Sequence, residues 1–280
     1  MCQMNNKSYL MVAGDKQKHL DKLNSLKCDI AIVNLEDGVF DKKFARNLVY
    51  ENLLNNEIKN KVVVRVNSLD SCGKEDIVLV NKIKPYAIRV PKIKTLNDVE
   101  ECLSLIDDDI EVHLSIETSS ALENLSKFKI NKRVTTVYLG ILDMLESLTL
   151  PQSLLNLENP TIDYILSKFL IDSKIANLNP VSFVFQDYKN IEEFTKWCKK
   201  LKNMGFNAKA CISPSQVDIV NNIFQINEDE IKKAKEIINL FEESLKNNIS
   251  GFSSEKYGFI DEPIYKNAKL VLSKYNQSEN

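Results

Sequence analysis

The sequence predicts an α/β protein, a (β/α)8 TIM barrel with a C-terminal helical extension. Three observations carry this. Short apolar runs alternate with segments of helical periodicity from Ser8 to Phe224. The runs are apolar at nearly every position, as strands buried on both faces of a parallel sheet must be. Eight such units in about 220 residues match the size of a closed eight-strand barrel.

The first strand is expected at Ser8–Val12, with a helical stretch from Asp15 to Leu26. Asp29–Leu35 is nearly all apolar, and a helix follows around Phe44–Leu54. Val62–Val66 is β-branched and precedes a helical pattern at Asp76–Ile83. Ala87–Val90 runs into Pro91-Lys92, and Thr95–Ile106 reads as a helix capped by Thr95. Strands at Val112–Ile116, Val134–Leu139 and Val181–Phe185 are followed by helices at Ser119–Phe128, Thr161–Ala176 and Ile191–Met204. The eighth unit is Ala208–Ile212 with Pro214–Phe224, where proline suits the first helical position. The barrel is therefore assigned to residues 1–226. Residues 227–280 form the extension, with helices at Glu228–Leu245 and Pro263–Tyr275 and an irregular segment at Asn247–Glu262.

Composition narrows the chemistry. The 280 residues carry 37 Lys+Arg against 39 Asp+Glu, a net charge of -2, which gives no reason to propose a nucleic-acid partner. Two histidines make a poly-His metal site or a Ser/His/Asp triad hard to build. Seven glycines, with no GxGxxG or GxxxxGK[ST], argue against a Gly-rich nucleotide loop. No apolar run approaches the roughly 20 residues of a membrane span, and Met1–Ser8 lacks the apolar core of a signal peptide. Cys2, Cys28, Cys72, Cys102, Cys198 and Cys211 are scattered without a CxxC pair. A cytoplasmic protein with reduced thiols is the simplest reading. Carboxylates, Arg and Lys are left to carry any reaction.

In such a barrel the active site lies at the C-terminal ends of the strands. There the sequence places Glu36-Asp37, Arg65-Val66-Asn67, Pro91-Lys92, Glu117-Thr118, Gly140 to Asp143, and Ser213 to Gln216. Side chains alternate along a strand, so His113, Ser115 and Glu117 share the inward face, as do Val63 and Arg65. An inward Arg is costly unless it meets an anion, from a neighbouring carboxylate or from substrate. Carboxylates gathered without histidine suit Mg2+, with Arg65 gripping a substrate carboxylate beside it. Plainer readings compete. Asp37 precedes a turn into a helix and reads equally as a cap; Glu117 and Asp143 read as metal ligands or as ion-pair partners. His113 reads as a satisfied core residue, His19 as a solvated one, and the cysteines as core fillers.

Taken together, the strand-end segments resemble the citrate lyase β-subunit-like family within the HpcH/HpaI aldolase group. The matching pieces are Asn34 to Val39 with Lys43 and Ala45-Arg46, Val64 to Asn67, Val90-Pro91-Lys92, Ile116-Glu117-Thr118, Leu139-Gly140 with Asp143, Ile212 to Gln216, and Phe259 to Pro263. The resemblance implies a Mg2+-dependent carbon–carbon lyase in which Glu117 and Asp143 hold the metal. It gives Arg65 the carboxylate of a small 2-oxo or 3-hydroxy acid, possessed as a free acid or as a CoA or carrier-protein thioester. Glu36 and Asp37 lie next to the metal and its water. Asp261 rides on a C-terminal segment that reaches a neighbouring subunit of a homotrimer and serves acid–base chemistry there. Lys92 and Asn67, at strand ends, complete the expected substrate-binding set.

The chain departs from the family pattern at Ala13, Asn34 and Ser213, where the family has Pro, Asp and His, and at Ile141-Leu142, where it has Gly-Glu. These departures bear on the substrate rather than on the implied metal ligands. They also leave two rival expectations: a catalytically altered barrel that binds a ligand or partner, and a condensing enzyme resembling malate synthase.

Overall fold

A computed structural model describes residues 6–225 and 227–279. They form two compact units. The first, residues 6–224, is a closed barrel of eight parallel strands in sequential order, flanked by helices. The strands are β1 (Ser8–Ala13), β2 (Ile30–Asn34), β3 (Lys61–Arg65), β4 (Ala87–Val90), β5 (Glu111–Ile116), β6 (Val134–Leu139), β7 (Asn179–Ser182) and β8 (Ala208–Cys211). Between and after them run α1 (Gln17–Leu20), α2 (Lys42–Asn55), α3 (Gly73–Ile83), α4 (Leu96–Leu105), α5 (Ser119–Asn124), α6 (Ile141–Ser147), α7 (Pro160–Ile175), α8 (Ile191–Met204) and α9 (Pro214–Phe224). The barrel closes because β1 pairs with β8 as well as with β2.

Alternation along the strands sorts side chains into two cores. Tyr9, Ile32, Val63, Ala87, Tyr138 and Ala208 point inward and fill the barrel floor. Leu10, Val33, Val64, Ile88, Leu114 and Ile116 point outward and pack under the helices. A fully buried aliphatic side chain contributes roughly 1.5–3 kcal/mol, so both faces oppose any slip in register. Helix starts are fixed by local chemistry. Thr95 and Asp98 form a capping box on α4, and Asp41 caps α2 by accepting the Phe44 N–H. His113 is fully buried, pairing with the Tyr138 hydroxyl at 2.9 Å and Glu111 at 3.4 Å.

Three local expectations change. The Asp15–Leu26 stretch is only the single turn α1, whose start no side chain caps, followed by a 3-10 turn at Leu23–Ser25. Between β6, which ends at Leu139 as expected, and the helix expected from Thr161, the residues after Gly140 form the additional helix α6, so Asp143 stands in a helical first turn. Asn247–Glu262 is not irregular: it holds the antiparallel pair β9 (Gly251–Ser254) and β10 (Gly258–Asp261).

That pair belongs to the second unit, with α10 (Glu228–Lys246) and α11 (Glu262–Glu279). Ile260 is fully buried there among Ala234, Ile237, Phe241 and Ala268. Gly258 makes the turn with a φ of 71°, in the left-handed region open to glycine. Among the described residues, no helix is long and apolar enough to cross a membrane. Cys28, Cys72, Cys102, Cys198 and Cys211 are free thiols; Cys2 lies outside the described residues.

Candidate active site at the barrel mouth

Four adjacent strands deliver charge to one end of the barrel. Arg65 is the last residue of β3, and period-two alternation from Val63 turns it inward. Its register partner on β4 is Arg89, which therefore faces the same way. Glu117 follows β5 directly, two residues beyond Ser115 on the inward face. Glu36 and Asp37 follow β2. Asn34 shapes that turn: its amide donates to the Asp37 carbonyl at 2.7 Å, and its side-chain oxygen accepts the Glu36 N–H at 3.3 Å.

The Arg65 Nη2 is the hub. It contacts Glu36 Oε2, Asp37 Oδ2 at 3.1 Å and Glu117 Oε1 at 3.5 Å. Arg89 Nη2 approaches the same Glu117 oxygen at 3.9 Å, while its Nε donates to Ser115 Oγ at 2.8 Å. Its guanidinium lies 4.1 Å over the Tyr138 ring, a cation–π contact that helps hold a buried cation. The second oxygen of Glu117 accepts the backbone N–H of Lys92 at 3.1 Å. Gly140 crosses so close to Glu117 that a Cβ there would stand 2.4 Å from Glu117 Cγ. Only glycine permits this approach.

Burial and like charge load the cluster. Glu36 is pushed up to about 7, first by burial and then by Glu117 and Asp37, against the pull of Arg65. Asp143 is raised by burial and by the same two neighbours. Burial and the adjacent Arg65 bring Arg89 down to about 10. Glu36 Oε1 and Arg65 Nε are buried without a hydrogen-bond partner. Such groups cost stability unless something binds them.

Above the cluster opens a cavity of about 490 Å³, lined by Asp37, Arg65, Arg89, Glu117 and Asp143 together with apolar residues. Among the described residues no group of three or more His, Cys, Asp or Glu side chains is gathered to hold a metal ion. Two carboxylates, Glu117 and Asp143, line the cavity beside Asp37. That donor set fits Mg2+, which takes one or two protein carboxylates and completes its shell with water and substrate oxygens. Zinc, by contrast, asks for three or four protein ligands, mostly His nitrogen or Cys sulfur.

The structure brings Glu36, Asp37, Arg65 and Glu117 together and sets Asp143 on the same cavity. Asp37 does not cap a helix; Asp41 does. Lys92 donates its backbone N–H to Glu117, and its exposed side chain carries a positive charge that acts on Glu36 and Asp143. Asn67 does not line the cavity: its backbone and side-chain N–H groups both donate to Asp76 Oδ2, at 2.8 and 2.7 Å. Asp261 lies in the second unit, where its carboxylate accepts the Ile264 N–H at 3.3 Å. Ser213 and Ser215 share a hydrogen bond of 2.7 Å at the start of α9. Among the polar cavity residues, Arg89, His19 and Gln186 were not singled out as functional from the sequence. Arg89 had a usable signal, since the alternation that turns Arg65 inward applies equally to Ala87 and Arg89. His19 is exposed, as expected, and also lines the cavity.

The family model described as HpcH/HpaI aldolase/citrate lyase matches residues 7–214. The (3S)-malyl-CoA thioesterase of Cereibacter sphaeroides (strain ATCC 17025 / ATH 2.4.3) is 26% identical over 272 residues, covering 96% of this chain and 92% of its own. The citrate lyase subunit beta of Haemophilus influenzae is 27% identical over 283 residues, with 96% of each chain covered. The crystal structure of CitE from Mycobacterium tuberculosis, in complex with magnesium, acetoacetate and coenzyme A, shares the fold at a TM-score of 0.79 and 18% identity, over 98% of both chains.

Proposed function

The chain belongs to the HpcH/HpaI aldolase/citrate lyase family, and from that premise we propose that it is a Mg2+-dependent carbon–carbon lyase. Its substrate is a small 3-hydroxy acid or the CoA or carrier-protein thioester of one, cleaved to a 2-oxo acid and an acyl fragment. The observation that carries this reading is the Arg65 hub, a guanidinium in contact with Glu36, Asp37 and Glu117 on the floor of an open cavity.

Arg65 holds the substrate carboxylate, whose charge it matches in bidentate geometry. Glu117 and Asp143 would hold Mg2+, which when bound supplies Lewis-acid polarisation of a substrate oxygen. Glu117 is fixed for that task by the Lys92 N–H and by the close passage of Gly140. Asp37 has an exposed carboxylate, 64% accessible and in contact with Arg65, and takes the proton of the substrate hydroxyl as the carbon–carbon bond breaks. Glu36 lies beneath it and positions Arg65. The same reading gives Asp261 an acid–base role in a neighbouring copy within a homotrimer.

Calorimetric titration with Mg2+ tests the metal assignment. The native chain is expected to bind, and Glu117→Ala and Asp143→Ala each to lose at least tenfold in affinity. Equal titration curves for native and variant chains would remove the assignment.

Thioester hydrolysis is a second reading, favoured by the likeness to a protein named (3S)-malyl-CoA thioesterase. Product analysis with malyl-CoA separates the two. Lysis yields glyoxylate and acetyl-CoA, whereas hydrolysis yields malate and free CoA.

A further inference from the structure

The lining of the mouth cavity divides by chemistry around the barrel. One arc, from β2 through β5 and the first turn of α6, carries Asp37, Arg65, Arg89, Glu117 and Asp143. The rest of the lining comes from β1, the same first turn of α6, and the segments that follow β7 and β8. It carries Met11, Ala13, Ile141, Leu142, Val184 and Ile212, interrupted only by the exposed Gln186 and His19. Met11 and Val184 pack on the apolar barrel floor, and Leu142 on the outer core, so this wall is fixed in place. A two- or three-carbon acid bound at Arg65 fills only a small part of about 490 Å³ and leaves the apolar arc in water.

We propose that the site selects acids with a hydrocarbon chain. The carboxylate and oxo or hydroxyl oxygens meet the charged arc, and an alkyl chain of several carbons lies along Met11, Ile141, Leu142, Val184 and Ile212. The proposal rests on the reading of the mouth as a 2-oxo or 3-hydroxy acid site. It deepens that reading by fixing the class of the 2-oxo acid fragment. The physical argument is transfer: each methylene taken from water into contact with this wall strengthens binding, whereas a second carboxylate at the far end would be desolvated against a wall whose only polar side chains are the exposed Gln186 and His19.

The test is calorimetry on the full chain at saturating Mg2+ with pyruvate, 2-oxobutanoate, 2-oxopentanoate and 2-oxohexanoate, and with 2-oxoglutarate as the dicarboxylate of comparable length. The dissociation constant is expected to fall roughly three- to fourfold per added methylene. 2-Oxoglutarate is expected to bind more weakly than 2-oxopentanoate, and Leu142→Glu to flatten the series. A flat or rising series, or tighter binding of 2-oxoglutarate, overturns the proposal. If pyruvate still binds and Arg65→Met abolishes that binding, the acid-site reading survives that result. If no 2-oxo acid binds at all, both fall together.

Discussion

Two buried charge networks lie at the end of β3, one open and one closed. In the closed one, Asp76 is fully buried and every contact is satisfied. Arg46 Nε donates to it at 2.5 Å, the two Asn67 N–H groups donate at 2.8 and 2.7 Å, and Arg46 also holds the Cys72 carbonyl at 3.1 Å. In the open one, Arg65 is shared among three carboxylates, and Glu36 Oε1 and its own Nε are left without hydrogen bonds. The first network holds the β3–α3 connection in place. The second holds charge ready for something to bind. Whether donors and acceptors are used up, rather than burial alone, separates a scaffold charge from a working one.

The largest effect is expected in the closed network. Asp76→Ala strands the Arg46 guanidinium and both Asn67 donors, and should destabilise the fold by about 3–5 kcal/mol, the range for breaking a buried ion pair. Urea unfolding reads this as a lower midpoint at unchanged slope. A loss below about 1 kcal/mol would mean that the closed network is no more structural than the open one.

A middle-sized effect belongs to the backbone that crosses the open network. In Gly140→Ala the new Cβ would stand 2.4 Å from Glu117 Cγ, so Glu117 must move. The expected cost is about 2 kcal/mol in stability, with roughly tenfold weaker Mg2+ binding through the displaced ligand. Unchanged Mg2+ affinity in a folded Gly140→Ala chain would show that Glu117 is not held where metal binding needs it.

The contrast also explains what could be read from the sequence. All eight strands were legible, because a two-sided buried strand must be an apolar run, and Arg65 and Glu117 stand out as charges at the ends of such runs. Asn67 looked equally well placed, two residues past Arg65. Its engagement with Asp76, nine positions on, is a tertiary contact that no local pattern encodes. Arg89 lay inside an otherwise apolar strand, where alternation alone could have marked it. The β9–β10 pair was missed because its four-residue strands bury only Ile260 fully, too little to give a period. The helix α6, with Ile141 and Leu142 in its first turn, has no counterpart in the sequence reading, because it depends on how the chain turns after Gly140, and this sets the apolar arc of the cavity.

The smallest effect is a pH slope, and it comes from the open network alone. Glu36 has its proton affinity raised from 4.5 to about 7 in the folded chain. Between those values the folded protein holds a proton that the unfolded chain has released. The stability linked to that proton is therefore fully present below about pH 4.5 and is lost as pH rises through about 7. In metal-free buffer the unfolding free energy should fall across this window by on the order of 1 kcal/mol more in the native chain than in Glu36→Gln, which cannot ionise there. Asp143 is raised as well and slopes in the same direction in both proteins, so the difference between the two curves isolates Glu36. Parallel curves would show that Glu36 is already ionised and settled against Arg65, and the distinction between an open and a closed network would then rest on the cavity alone.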